Sequence, residues 1–500
     1  MSTYLTKTLL ENFPHPQPRA VQAEFLRELE ANWDSHDVFV VEAPTSTGKS
    51  ALSVAIANWA GRCRIITNTN LLVAQYREEF PEIPILHGTD YYPESRPYGY
   101  QEDLYRFSRA GIGVTNYHMY ALQLRRNRYQ NSRPTLIIDE GHNTIPFLQE
   151  MHSVTHWKHK LPGYPWMRDS NPRTIQKWME HMAGQDTTGK WDKLYDDTYG
   201  DRPRYVVEER EELWSAGGKL PDGIKLRRGE PELLPQLVLR PVDLRDYPET
   251  LWERKFVPKL VIMSATISPV DIRLLGLDSR RVCYLRCASP IPAERREIHV
   301  TGTTSVSHGN LLAATTSMIP LIKEIEERHR GTSGVVHATY EQARVLRQLL
   351  SGDKYLFHSA EDKTEIYELF RRARPGTVLI ASGLYEGVSL DYDVARWQCI
   401  AKVPWQSLGS PAVQYMARKD PTWYNWNTLR TVIQACGRVT RTPTDYGVTY
   451  ILDRSALRLY SDCEKAGIVP EWFREAWRGE PDIGDIGYHD TETRTMVNYT

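Results

Sequence analysis

The sequence is poor in the features that mark a secreted or membrane chain. Six cysteines in 500 residues stand at 63, 283, 287, 399, 436 and 463, too few and too scattered for a disulfide framework or a paired CxxC zinc ribbon. They read as reduced cytosolic thiols. No stretch approaches the roughly 18 consecutive apolar residues of a membrane span. The opening MSTYLTKTLLENFPHP lacks the basic start and apolar core of a secretory leader, so the expectation is a soluble, cytoplasmic chain with no membrane partner. Nor does either sign of charge dominate. The 62 Lys and Arg against 63 Asp and Glu leave a net charge of −1, which excludes a global attraction to nucleic acid and confines any polyanion site to a local patch. Repeats and low-complexity tracts are absent as well. What is there, 41% hydrophobic and 25% charged residues, is the composition of folded globular domains, about three at roughly 150 residues each.

Residues 1–145 alternate short β-branched runs (37–42, 64–68, 112–115 and 135–139) with helical stretches, the pattern of a parallel sheet wrapped by helices. A small lobe is expected at about 80–110. Over 146–250 the texture turns to Trp, Pro, Gly and mixed charge, read as an inserted, mostly helical module. The strand pattern returns at 259–263 and runs into Ser264-Ala265-Thr266, so 251–285 closes the first unit. Residues 286–500 then form a second α/β unit, with strands expected at 334–338, 377–381, 397–403 and 447–452.

The strand at 37–42 opens into Ala43-Pro44-Thr45-Ser46-Thr47-Gly48-Lys49-Ser50 and an Ala-rich helix. Loop and first-turn N–H groups there converge on an anion that the helix dipole also favours. Lys49 is placed to reach β and γ phosphates and Ser50 to ligate Mg²⁺, although Ala43 replaces the first glycine of GxxxxGK[ST]. About 90 residues on, TLIIDEGHN supplies Asp139 to hold Mg²⁺ and Glu140 to activate water. Gln434, Arg438 and Arg441 follow an i, i+4, i+7 spacing that puts them on one helix face. From across a cleft the two arginines would act as fingers on a γ phosphate; alone, they would read as a solvated basic face.

These elements in this order resemble superfamily 2 helicases, and their wording resembles the XPD/DinG family. That family's EAPTGTGKT, DEAH-like, SAT and QxxGRxxR motifs correspond to Glu42–Ser50, Asp139–His142, Ser264–Thr266 and Gln434–Arg441. The likeness extends to Arg19 and Gln22, where the family contacts adenine, and to Thr67, Thr69 and Gln75. It includes 111–124, with Asn116, and 335–340 as motif IV. Gly383, Glu386 and Gly387 match its EGvD segment. Coverage is most of the chain outside the insertion.

The resemblance implies two RecA-like motor domains with ATP and Mg²⁺ between them and an arch-like insertion in the first. It also implies a monomer moving 5′ to 3′ on single-stranded or forked DNA, with Thr69 and Asn116 among the strand contacts. Nothing in the residues themselves fixes direction. Three departures stand out. Residues 76–138 hold no cysteine, so no iron-sulfur cluster is expected; the tyrosines there (Tyr91, Tyr92, Tyr98, Tyr100, Tyr105) either fill a small core or stack on bases. Ser46 stands where the family has glycine. Ser389 stands at the EGvD aspartate, with Asp391 two residues on.

Phosphate contacts are expected from local patches: Arg125 and Arg126 with Arg128 and Arg133, then Arg371, Arg372 and Arg374, each equally a solvated face. Trp423, Tyr424 and Trp426 are a stacking platform or core. The insertion is a candidate surface for a protein partner. Two other readings share the motifs, a translocase or remodeller that does not unwind and a nucleic-acid-binding scaffold with a degenerate nucleotide site.

Overall fold

The computed structural model describes residues 7–93, 96, 98–157, 161, 172–201, 203–214, 232–383, 390, 392–480, 488–489 and 496–497. The chain opens with α1 (Ala20–Asn32), then alternates β1 (Val38–Glu42), α2 (Lys49–Ala60), β2 (Cys63–Thr67), α3 (Asn70–Glu79), β3 (Ile85–Leu86), α4 (Gly99–Arg109), β4 (Ile112–Asn116), α5 (Tyr117–Asn131), β5 (Thr135–Asp139) and α6 (Thr144–Met151). It departs through β6 (Val154–Trp157), α7 (Pro172–Gln185), α8 (Lys190–Tyr199), β7 (Tyr205–Trp214) and β8 (Glu232–Pro241), and returns as β9 (Lys259–Ser264), α9 (Pro269–Leu274) and β10 (Val282–Arg286). The first sheet is parallel, in the order β10-β1-β9-β5-β2-β4-β3.

The returning strand β9 sits between β1 and β5, with Glu42 opposite Ser264 and Asp139 opposite Met263. The phosphate-loop, Ser-Ala-Thr and Asp-Glu segments therefore leave neighbouring strands at one edge, beyond the carboxyl ends where open α/β sheets bind ligands. Helix α2 is buried on almost every side. Three of its four alanines, Ala51, Ala55 and Ala57, are 0–4% exposed, and their small side chains let it lie close on the sheet.

A second parallel sheet follows from β11 (Ile298–Val300), α10 (Leu311–Arg328), β12 (Gly334–Ala338), α11 (Tyr340–Leu349), β13 (Tyr355–Phe357), α12 (Lys363–Arg371), β14 (Val378–Ser382), β15 (Trp397–Ile400), α13 (Pro411–Lys419), α14 (Pro421–Cys436), β16 (Val448–Ile451), α15 (Ser455–Lys465), α16 (Glu471–Ala476) and β17 (Trp477–Gly479). Its order is β13-β14-β12-β15-β16-β11-β17. These are two RecA-like parallel-sheet domains, as the strand pattern predicts.

The insertion corrects the expectation of a mostly helical module. It pairs α7 and α8 with an antiparallel sheet in which β8 lies between β6 and β7. The run 205–214 carries five charged residues in ten, a composition that disfavours strands and masks the alternation. Tyr205 and Val207 nevertheless reach inward, with Trp178, Met179, Leu194, Leu237 and Leu239. The sheet rests on the second domain. Buried Glu208 accepts hydrogen bonds from Ser410 Oγ at 3.0 Å and from Arg210 and Arg240 at 2.6 and 3.2 Å.

Rings of the small lobe divide between buried and exposed positions. Phe107 is fully buried and Tyr92 donates to Asp103 at 3.0 Å, whereas Tyr98 and Tyr105 are 71% and 59% exposed. Trp423 and Trp426 are core residues, which removes them as a stacking platform. Tyr424 stacks on Trp405 with ring centroids 5.4 Å apart. No helix among the described residues is long and apolar enough to cross a membrane.

Two buried histidines of the second domain lead to a prediction of acid sensitivity. His329 meets the Tyr450 hydroxyl at 2.8 Å and His337 meets Gln398 Oε1 at 3.0 Å. Burial above all holds both imidazoles down at about 4 against 6.5. Because the unfolded chain takes up these protons first, their contribution is complete above pH 6.5 and is lost as pH falls towards 4. The expected loss is about 3 kcal/mol per histidine, read as a falling urea midpoint over that window; a flat profile there contradicts it.

Candidate active site

The turn from β1 into α2 is built by side chains outside it. Ala43 is fully buried and its N–H bonds Ser264 O at 2.9 Å, so a buried methyl replaces the usual first glycine where the loop joins β9. Arg19 donates to Ser46 O at 2.7 Å, Gln22 donates to Thr47 O at 2.7 Å, and Thr47 Oγ1 closes on Pro44 O at 2.8 Å. Gly48 caps α2 at φ 77°. A Cβ there would lie 2.7 Å from Gln22 Nε2, so glycine serves both the left-handed turn and the close approach. Arg19 and Gln22, singled out for adenine, thus hold the loop's carbonyls. Thr45 faces the other domain: a Cβ on Gly437 would be 3.8 Å from its methyl group.

Ser46 explains the family's glycine at its position by departing from it. Its φ is 70°, a region costing an L-residue about 1–2 kcal/mol. Its hydroxyl bonds the Arg441 carbonyl of the second domain, a tie that glycine could not make.

Lys49 Nζ is 3.2 Å from Glu140 Oε1. Glu140 itself is left-handed, at φ 55°, and its other oxygen is 3.4 Å from His142 Nδ1. Burial pushes the Glu140 carboxyl up, but Lys49, His142 and Arg438 together outweigh it and hold the group below its ordinary value. Asp139 has the opposite balance: burial first, then the Glu140 charge, raise it, with Lys49 opposing. The fully buried Tyr76 hydroxyl donates to Asp139 Oδ2 at 2.9 Å, with the Ser50 side chain beside it. Ser50 and Asp139 thus both adjoin the Tyr76 hydroxyl, and a serine hydroxyl and a carboxylate are donors of the kind Mg²⁺ takes in nucleotide sites. His142 Nδ1 also meets Ser264 Oγ at 2.9 Å, and that hydroxyl accepts from Thr266 N–H at 3.1 Å. The Asp-Glu turn and the Ser-Ala-Thr strand end are therefore joined directly.

Arg438 and Arg441 do not continue the helix face expected from their spacing. Helix α14 ends at Cys436, leaving Gln434, half-buried, on its last turn. The two arginines lie in the loop that follows, on the cleft side, where Arg438 lowers Glu140 by its charge. That loop is fixed by Asp445, fully buried, which accepts Arg441 N–H at 3.1 Å and Arg396 Nη1 at 2.7 Å. Spacing alone does not point to Asp445 or Tyr76, whose contacts are made only in three dimensions.

Four other residues lie away from this cluster. Thr69 and Asn116 cap α3 and α5, accepting from Leu72 and Met119 N–H at 3.2 and 2.8 Å, and Asn116 also donates to Asn70 Oδ1 at 2.8 Å. Arg125 is exposed, and Arg126 donates to the Tyr100 hydroxyl at 3.0 Å. Arg133 is structural, donating to the Ser108 and Ala110 carbonyls. Glu386 and Gly387, with Ser389 and Asp391, lie outside the described residues.

A loop lysine, a strand-end acid pair and an arginine from a second parallel-sheet domain thus come together between two RecA-like domains. Residues 15–158 match the family model of the type III restriction enzyme res subunit, and residues 316–475 match that of the helicase C-terminal domain. No curated protein sequence matches the chain. Among solved structures an XPD helicase is similar at a TM-score of 0.60, with 14% identity over 93% of this chain and 100% of that one. S. tokodaii Xpd4 is similar at 0.58 with the same identity and coverage, a likeness of fold. The chain thus carries a segment matched by each of two family models, the second a helicase C-terminal domain, on a fold similar to that of XPD helicases.

Gly141, where the family's motif reads alanine, reports how tightly the turn is held. A Cβ there would stand 2.2 Å from Ile262 Cγ2 in β9. Gly141→Ala is expected to cost about 1–3 kcal/mol in stability and, by moving Glu140, to lower kcat by about tenfold or more. Thermal melting and steady-state turnover check this; native values in both would contradict it.

Proposed function

We propose that the protein is an ATP-driven DNA helicase that moves 5′ to 3′ along single-stranded DNA and opens the duplex ahead. The observation that carries this reading is the placing of Glu140 between Lys49 of its own domain and Arg438 of the other. A group so placed links hydrolysis to the relative position of two domains, which is what a translocating motor requires. Lys49 binds the β and γ phosphates, Ser50 and Asp139 hold Mg²⁺, and Arg19 and Gln22 border the base. When bound, Mg²⁺ neutralises phosphate charge. Glu140 orients the attacking water and takes its proton, the role to which a carboxylate held ionised is suited. Arg438 and Arg441 stabilise charge on the γ phosphate as it leaves.

Lys49 and Glu140 pair with each other in the structure. Arriving phosphates compete for Lys49, which frees Glu140 to act as base only once nucleotide is present. DNA crosses both domains, with the exposed Arg125 on the first. Direction and preference for DNA rest on the XPD/DinG likeness. The six cysteines are unpaired, which supports a cytoplasmic setting, and the enzyme works as a monomer without an iron-sulfur cluster.

Turnover is expected to rise on adding single-stranded DNA, and duplexes with a 5′ tail to be unwound in preference to those with a 3′ tail. Stimulation without unwinding would make the protein a translocase, and no turnover would contradict the motor reading. Glu140→Gln should keep ATP affinity and lose hydrolysis. Arg438→Ala should slow hydrolysis by about 10³-fold, and a native rate would remove it from the site.

A further inference from the structure

Behind the cleft, a second contact joins the two domains out of reach of solvent. Asp271, 2% exposed, stands in the first turn of α9, just after Ser264-Ala265-Thr266. One carboxylate oxygen accepts Ser268 N–H at 3.0 Å and the indole N–H of Trp426 at 2.8 Å; the other accepts the guanidinium of Arg430. Trp426 and Arg430 come from α14 of the second domain, one turn apart, with the guanidinium 5.3 Å from the indole centroid. Arg430 also reaches His142 O at 3.5 Å. One guanidinium from the second domain thus spans two pieces of the first, the helix after the Ser-Ala-Thr segment and the turn that carries Glu140.

Burying an ion pair is a poor way to gain stability, because apolar side chains of similar volume often do as well. Its better-attested use is to fix one register, and directional bonds in a dry setting permit few alternatives. The register fixed here is that of α14. Gln434 lies one turn beyond Arg430, and the helix then releases Arg438 towards Glu140. Apolar packing alone, such as that of Val270 with the second-domain core, would tolerate a small slide of α14 that displaces Arg438.

We infer that Arg430 and Asp271 are positioning residues for ATP hydrolysis. They hold α14 against the Glu140 turn so that Arg438 meets the γ phosphate, and they pass a movement of that turn into the second domain. Neither residue touches nucleotide. This rests on the ATPase reading and on Arg438 as the finger.

The test is a double-mutant cycle in the full chain, with kcat from single-turnover hydrolysis and ATP affinity measured separately. Arg430→Met is expected to lower kcat by about tenfold or more while the ATP Kd stays within about threefold, and to have little further effect in an Arg438→Ala background. Arg430→Lys, which keeps the charge, should recover part of the loss. Asp271→Asn keeps an acceptor for Ser268 and should behave as Arg430→Met does, so it carries the test if the methionine variant fails to fold. A native kcat in both variants, or losses that multiply fully with that of Arg438→Ala, would overturn the inference. Native turnover with indifferent variants removes this inference alone; an inactive native chain removes the functional reading with it.

Discussion

Glu140 lies where the demands on this fold converge. Its carboxylate sits 3.2 Å from a lysine of its own domain and in the field of an arginine of the other, and its backbone is left-handed to put it there. A residue in that conformation persists only where its surroundings over-determine it. Gly141 next to it has no room for a Cβ, His142 behind it is bonded to Ser264, and β9 is threaded between β1 and β5 so that Ser264 is within reach. The long insertion between β5 and β9 is tolerated because both of its ends return to the same sheet.

The two domains meet in unlike ways at the front and back of the cleft. At the front are the Ser46 hydroxyl on the Arg441 carbonyl and Arg438 near Glu140, contacts that a nucleotide would enter. Behind lie the buried Asp271, Trp426 and Arg430. Helix α14 connects the two, which makes it the element through which chemistry and domain position can exchange. The insertion adds a third link through Glu208 and Ser410, outside the motor core.

Much of this was legible in the sequence because it is local. The central strands of both sheets, the loop at 43–50 and the acid pair are written as contiguous runs, and a β-branched run bounded by turn residues leaves little choice of structure; the strands β3, β10, β11, β13 and β17 towards the sheet edges, most of them two or three residues long, do not stand out in this way. Strand β7 of the insertion is hidden by charge, since Glu208 to Glu212 are five charged residues in a row. The arginines were misplaced for a related reason: an i, i+4, i+7 spacing describes a helix only if the helix continues, and α14 stops at Cys436. Tyr76 is 63 residues from Asp139 and Arg430 is 159 from Asp271. Contacts at such separations leave no trace in spacing. Thr69 and Asn116 show the converse, positions matched to a motif whose visible work in this structure is to cap helices.

The account stands or falls on whether nucleotide is held between the two domains. The most direct measurement is a structure with Mg²⁺ and a non-hydrolysable ATP analogue. The account predicts the metal between Ser50 and Asp139, Lys49 drawn from Glu140 onto the phosphates, and Arg438 of the second domain at the γ phosphate. Nucleotide bound by the first domain alone, with Arg438 turned away and Lys49 still on Glu140, would contradict it.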